Sequence, residues 1–487
     1  MINTKTTKYV INDFTVDKTD YTDKFVVKEQ YGYQLKNRKL TTGLGFEPLT
    51  LPRNLTPGCV ENTVDYSSLK DSMNKLQVFS YFKGYHKNSL ASNKYDRRLQ
   101  FYGSDGGIYE LTPFVPVTQI WQVYNGYFNL TSIPVALNIR QNGEDMIILS
   151  NLTDNMLVWK CTTNAPQAFN LDYHLTSLCE NDGILYATTD GDAKTLFFTT
   201  TLDPTLVDET NSGTIDLTDN RGASLKVISF KGYVYVFREY GITKLTRLAS
   251  GTYAISQLYS SPSRIYEKTV AVCGDKIIFL SRNGLNSFNG INVSKITTPY
   301  DDVLCQTENS NAMAECLGNK YYLACTLNFP DLKASEQNLA HNAFMAVDIT
   351  NFDTSVVRSV DIASMLAVND FAMQKLIVTF NNANQREIGQ LCEKGKFLTN
   401  NTTKTICTNR VDFGANGRRI SKVEVNASLG TKIDIVTDSA TLHFVCTKDG
   451  YNAFAPYAKA TSAKIMVDAN SDTAYLDEIT LTTTEIK

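Results

Sequence analysis

The chain has 487 residues, roughly three times a common domain length, so more than one folding unit is expected. Hydrophobic residues make up 43% and charged residues 20%, a balance that supports large cores and excludes a disordered chain. Lys and Arg number 47 against 50 Asp and Glu, and the net charge of −3 excludes a strongly basic binder of duplex DNA. Four histidines are few for a metalloenzyme, whereas 26 Tyr and 24 Phe beside 2 Trp and 12 Pro suit many strands with aromatic packing.

Residues 1–70 hold few periodic segments and much Asn, Thr and Lys, with Pro48, Pro52 and Pro57 in one stretch. They read as an extended N-terminal arm or edge subdomain. The run Met1–Lys8 lacks the apolar core of a signal peptide. The longest apolar runs, such as Lys276-Ile-Ile-Phe-Leu280, are strand-sized, so no membrane-spanning segment is expected. Only Ser67–Leu76 and Leu332–Leu339 suit a short helix.

From about residue 75 a unit recurs: an apolar strand, a Gly/Asn/Asp turn, a nearly continuous apolar strand, another turn and a third strand. The clearest copies are Leu225–Phe237, Thr269–Leu280 and Ala314–Cys325. Second strands begin at Arg98, Met146, Ile184, Tyr233, Lys276, Lys320 and Lys375, a spacing of about 46 residues that matches a four-stranded propeller blade. Second strands that are apolar at successive positions fit blades buried on both faces. The expectation is an all-β chain with a six- or seven-bladed β-propeller over residues 75–395; a large irregular sandwich is the alternative. Phe397-Leu-Thr-Asn-Asn-Thr-Thr-Lys404 reads as a polar linker. Beyond it, short period-2 strands such as Lys422–Ala427 and Lys464–Val467 predict a C-terminal, Ig-like β-sandwich over residues 405–487.

The cysteines at 59, 161, 179, 273, 305, 316, 325, 392, 407 and 446 form no CxxC, and several sit in apolar strand patterns. They are expected to be reduced, buried and unbridged. The sequon Asn151-Leu-Thr153 is then a chance match.

Catalytic templates find no match. Gly103-Ser-Asp-Gly-Gly107 lacks the spacing of a nucleophile elbow and reads as a hairpin turn. Gly43-Leu-Gly45 opens no helix, so phosphate cradling has no support. His86, His174, His341 and His443 are far apart in sequence and read as turn or edge residues. Asp468-Ala-Asn470-Ser-Asp472 has calcium-loop spacing, but the positions where Gly and Glu should follow hold Thr473 and Ile479, so it reads as a polar turn. Asp190-Gly-Asp192 reads the same way. Lys36-Asn-Arg-Lys39, Arg97-Arg98 and Arg418-Arg419 are short basic clusters that suit a solvated face. No catalytic, cofactor-binding or metal residue is assigned, and the chain is expected not to be an enzyme.

Two stretches carry a family resemblance. Thr195–Thr205, Gly213–Leu217, Leu225–Phe237 and Gly241–Leu245 together resemble a run found in propellers of tailed-phage virions. Thr408–Gly414 followed by Arg419–Val425 is similar to the start of the C-terminal sandwich in the same proteins. Gly32–Asn37 with Gly43–Gly45 resembles their N-terminal segment. The family is that of tail nozzle, tail-hub and packaged-DNA-stabilising (head-completion) proteins of short-tailed bacteriophages. The resemblance implies a structural virion subunit, assembled in the host cytoplasm into a homo-oligomeric ring with a hexamer favoured. Its partners would be the portal or adaptor ring and other tail proteins. It would line or close the DNA exit channel, retain the packaged genome and support DNA ejection without sequence-specific DNA contacts. The alternative is a host-receptor or glycan-binding propeller of an attachment structure. Subunit contacts are expected from residues 1–70 and from the insertions Thr201–Gly222 and Asn328–Asn342.

Overall fold

The computed structural model describes the chain except residues 1–4, 50–54, 58–74, 89–90, 112–120, 125–127, 142, 160–165, 191–192, 202, 204–206, 209, 371–372, 382–385, 399 and 487. Among the described residues the protein is all-β, with two helical turns, Glu267–Thr269 and Asp301–Leu304. The helix expected over Leu332–Leu339 does not form; this stretch is a series of turns. Its carboxylates are drawn out of any helical register: Glu336 accepts from the Lys333 amide and from Arg358 and Ser359, and Asp331 accepts from Arg358. Most of the other expected helix, Ser67–Leu76, lies outside the described residues.

Seven antiparallel sheets follow one another along the described chain. Sheet I comprises Gln77–Asn88, Ala91–Tyr102, Ile108–Leu111 and Trp121–Tyr124, with Leu55–Pro57 added in parallel at its outer edge. Sheet II comprises Val135–Gln141, Glu144–Ser150, Met156–Trp159 and Gln167–Phe169; sheet III comprises Leu175–Asn181, Ile184–Thr189, Thr195–Thr199 and Ser212–Asp216. Sheet IV is Ser224–Phe230, Tyr233–Arg238, Gly241–Arg247 and Tyr253–Ser260; sheet V is Ala271–Cys273, Lys276–Ser281, Gly284–Phe288 and Val293–Ile296. Sheet VI is Met313–Leu317, Lys320–Cys325, Ala343–Asp348 and Thr354–Arg358. Sheet VII takes Ile362–Asp370, Met373–Asn381 and Arg386–Cys392 from this region and Gly45–Pro48 from the N-terminal arm.

Hairpin chemistry starts each repeat. Asp182 and Gly183 (φ 52° and 79°), like Lys231 and Gly232 (φ 50° and 77°), take the positive φ pair of a two-residue turn that matches strand twist. Second strands lose their alternation because both faces are buried: in Ile184–Thr189, Leu185 and Ala187 join the core shared with sheet II, and Ile184 and Tyr186 the one shared with sheet IV. Each sheet shares such a core with the next. Sheet VII shares one with sheet I, through Ile377 and Ile388 against Val78, Leu99 and Phe101. The order is therefore cyclic, and the region is a β-propeller.

The closing strand is short but anchored. Phe46, 1% exposed, sits edge-on to Phe344, Phe380 and Phe397 with centroids 5.0, 5.1 and 6.4 Å away. Leu391 pairs with Phe46 and Gly389 with Pro48. Pro48 is tolerated because it ends the strand.

Two further sheets pack over a common core that includes Val27, Leu40, Ile406, Val423, Ile433, Ile465 and Leu481. One runs Gln34–Lys36, Lys39–Thr41, Leu476–Glu485, Arg418–Ala427, Gly450–Phe454, with Thr6–Ile11 also on Leu476–Glu485 and Ala458–Ala460 on Arg418–Ala427. The other runs Val27–Tyr31, Lys404–Asp412, Ser462–Ala469, Lys432–Thr437, Thr441–Val445. Period-2 burial, buried at every second position of Ser462–Ala469, marks the inward face. N-terminal strands thus belong to both sandwich sheets and to the propeller; residues 405–487 supply only part of the sandwich. The same core continues into sheets V and VI, and Tyr31 touches Tyr300 and Phe329 at the junction.

The expectation of unbridged cysteines is corrected. Cys273 and Cys316 form a disulfide, with Cα atoms 5.5 Å apart and a sequence separation of 43. Cys273 ends the first strand of sheet V and Cys316 is the last but one residue of the first strand of sheet VI, so one repeat of chain brings them side by side across the V–VI seam. Cys179, Cys325, Cys407 and Cys446 are free and buried, and Cys305 and Cys392 are free and half-buried. Cys59 and Cys161 lie outside the described residues.

Candidate functional site

The first strands of sheets II to VII face a common centre and enclose a cavity of about 460 Å³. Aliphatic residues such as Leu137, Leu178, Val227, Ala314 and Ala367 line it beside polar ones such as Asn138 and Ser229. Three charged side chains also line it: Glu180 on sheet III, Lys226 on sheet IV and Glu315 on sheet VI. A register shift between Ser224 and Lys226 interrupts the first hairpin of sheet IV, the kind of bulge that re-aims a side chain. The Lys226 ammonium donates to the Val270 carbonyl at 2.7 Å.

Burial governs the protonation of this group. It pushes Glu315 up to about 7, against the opposing pull of Lys226 and a backbone hydrogen bond at Ala367. It raises Glu267, with Lys226 and Lys268 opposing, and lowers Lys226, with Glu315 and Glu267 opposing. The Lys226 ammonium is thus held by the Val270 carbonyl, with Glu315 and Glu267 favouring its charge electrostatically.

The calcium-like string behaves in the same way. Lys404, fully buried, donates to the Ser471 carbonyl at 2.6 Å and the Thr402 carbonyl at 3.2 Å, and Lys396 pairs with Asp472 at 3.1 Å. Burial holds Lys404 down at about 8, with Asp472 opposing. The turn over residues 470–473 is thus a polar turn served by two lysines. Among the described residues no group of three or more His, Cys, Asp or Glu is arranged to hold a metal ion.

The histidines are not brought together. His86 lies in sheet I. His174 precedes sheet III and contacts Asp190 at 2.7 Å. His341, 2% exposed, meets the Asn311 carbonyl at 2.8 Å, and His443 meets Asp434 at 2.8 Å on the sandwich. Gly103–Gly107 is a turn: the Gly103 amide donates to the Gly107 carbonyl, and Asp105 accepts from the Gly107 amide and the Tyr109 hydroxyl. Residues 191–192 of the string Asp190-Gly-Asp192 lie outside the described residues. Asn151 of the sequon is buried, its amide donating to Ser132 and Asp154.

Of the two long insertions, Thr201–Gly222 is a correction: it contains Ser212–Asp216, the fourth strand of sheet III. Asn328–Asn342 is irregular and pinned down, since Arg358 binds Glu336 at 2.8 Å and Asp331 at 2.7 Å and lies 4.1 Å over the Phe329 ring. Sequence reading missed Lys226 and Glu315. The available signal was one charge inside an otherwise apolar first strand, in Leu225-Lys-Val-Ile228 and Ala314-Glu-Cys-Leu317.

No protein-family model matches the chain, and no curated protein matches it. Among solved structures it is similar to BBS1N in complex with ARL6DN, soaked with lead, at 8% identity and a TM-score of 0.41, over 62% of this chain and 90% of that one. It is also similar to BamB from Moraxella catarrhalis at 9% identity and a TM-score of 0.35, over 65% of this chain and all of that one.

Proposed function

We propose that the chain is a non-enzymatic structural subunit of a bacteriophage tail, a nozzle or hub protein that forms a ring, hexameric by preference, around the DNA exit channel. In this reading the seven sheets are the seven blades of one propeller and the two-sheet unit is an Ig-like sandwich. The subunit sits in the virion against the portal or adaptor ring and retains the genome until ejection. The observation that carries the reading is mechanical: one arm supplies strands to both sandwich sheets and closes the propeller, so the two units share one core and transmit load as one body. The resemblance of Thr195–Leu245 and Thr408–Val425 to virion propellers supports it. Lys226, which lines the cavity and is tied to the Val270 carbonyl, favours a load-bearing role over ligand turnover. DNA would pass between subunits, because a central cavity of about 460 Å³ is too small to admit a duplex.

The test is the symmetry of the purified full chain by mass photometry and electron microscopy. Six- or twelvefold rings are expected. A monomer at all concentrations, or a trimer, would overturn the ring and favour host attachment.

A further inference from the structure

We propose that the Cys273–Cys316 disulfide is a redox clamp across the seam between sheets V and VI, opened and closed by a small thiol or disulfide that reaches Cys316 from the central cavity. The clamp stands whether or not the chain serves in a virion. Three observations carry it. The two cysteines lie in first strands that belong to different sheets, Ala271–Cys273 and Met313–Leu317, so the covalent bond is a tie between repeats. Exposure is unequal: Cys273 is fully buried in the shared core, whereas Cys316 is half-buried and lines the cavity of about 460 Å³. Cys273 abuts the hairpin tip Gly274-Asp275 and Cys316 lies one residue before the tip Gly318-Asn319, and an added Cβ at either glycine would meet nothing within 4 Å, so both tips are loosely packed at these positions.

The exchange balances with a low-molecular-weight thiol as reductant. Its thiolate attacks Cys316 Sγ, the Sγ–Sγ bond breaks, and Cys273 leaves as a thiolate that takes a proton from solvent. A second equivalent of thiol releases Cys316 and departs as its own disulfide, so two electrons pass from two thiols to the protein. Closure is the reverse, with a small-molecule disulfide as oxidant. Glu180 and Glu315 outnumber Lys226 on the cavity wall, which favours a cationic reagent.

Cystamine is therefore the probe. Folded Cys273→Ser protein should form a mixed disulfide at Cys316, located by peptide mapping, whereas Cys273 in folded Cys316→Ser protein should stay unmodified until denaturant is added. Equal labelling of both sulfurs in the folded variants would overturn access from the cavity. Wild-type protein supplies the second readout. Dithiothreitol should lower its unfolding midpoint by roughly 5 °C, to that of the Cys273→Ser/Cys316→Ser double variant, and should leave the double variant unmoved. A wild-type midpoint indifferent to reductant, or a non-reducing peptide map with Cys273 and Cys316 as separate thiols after reduced protein is treated with one equivalent of cystamine, would overturn the clamp.

Discussion

The propeller and the sandwich are both antiparallel β, yet they are built by opposite rules. Six of the seven propeller sheets take their four core strands consecutively from the chain, and in sheets II to VI the second strand carries an apolar run bounded by turns. The sandwich joins the ends of the chain: Thr6 pairs with Thr484, Ile11 with Ile479, and Val27 with Thr408. Local pairing leaves its record in local sequence, and distant pairing does not, because loop closure between far segments is set by the whole fold. Sheet VII lies between the two cases, with three strands local and the fourth drawn from Gly45–Pro48.

The largest effect should follow from removing the shared strands. Deleting residues 1–48 takes Thr6–Ile11, Val27–Tyr31 and Gln34–Thr41 from the sandwich and Gly45–Pro48 from the propeller. The expected outcome is loss of the cooperative unfolding transition of the sandwich and proteolysis within sheet VII. The isolated fragment 405–487 should be unfolded by circular dichroism, and a fusion of residues 5–44 to 404–487 should fold. Cooperative unfolding of 405–487 alone at the midpoint of the whole chain would show that the arm is ornamental. A narrower cut is Phe46→Ala, which leaves the strand but removes its anchor among three phenylalanines. A fully buried Phe→Ala change costs about 4 kcal/mol, and chemical denaturation should show it. A cost below about 1 kcal/mol would mean that the ring holds without this strand.

The same contrast explains what the sequence disclosed. Leu225–Phe237 and Thr269–Leu280 carry hairpin turns and doubly buried strands within a dozen residues, so the repeat was legible. Gly45–Pro48 carries nothing that marks it as a blade strand, since its partner Arg386–Cys392 lies more than three hundred residues away. Lys226 and Glu315 become neighbours only when the ring order is known. The disulfide was within reach: its separation of 43 residues is one repeat, and equivalent positions of adjacent repeats are neighbours in a ring. Apolar surroundings, read as a sign of inert thiols, were compatible with a bridge.

Lys404 tests the joint between the two regions. Its folded value near 8 lies below the usual 10.5, so between these limits the unfolded chain holds more protons and folding gains as pH rises. Relative to Lys404→Met, the wild type should gain up to about 3 kcal/mol between pH 8 and 10.5. No gain in that window would place the ammonium in water rather than among the Ser471 and Thr402 carbonyls.

The smallest effect belongs to the cavity, and it probes the local region alone. Glu315 titrates near 7 in the folded chain against 4.5 for an ordinary glutamate, because burial disfavours its carboxylate more than Lys226 favours it. A raised folded value means that the native state binds the extra proton, so this contribution is complete below pH 4.5 and lost as pH rises through 7. Glu315→Gln keeps the shape and stays neutral, so its advantage over wild type should be absent near pH 4.5, grow through pH 6 and level off above pH 8. Urea unfolding at the three pH values reads it directly. The position on an open cavity wall keeps the size modest, because solvent that reaches it screens the charge. Pairing with Lys226 makes the complementary prediction: in a Lys226→Met background the carboxylate loses its favourable charged neighbour and keeps only the backbone hydrogen bond at Ala367, and the Glu315→Gln advantage at pH 8 should increase. Additivity of the two substitutions would mean that the two charges stand apart across the cavity, each solvated on its own.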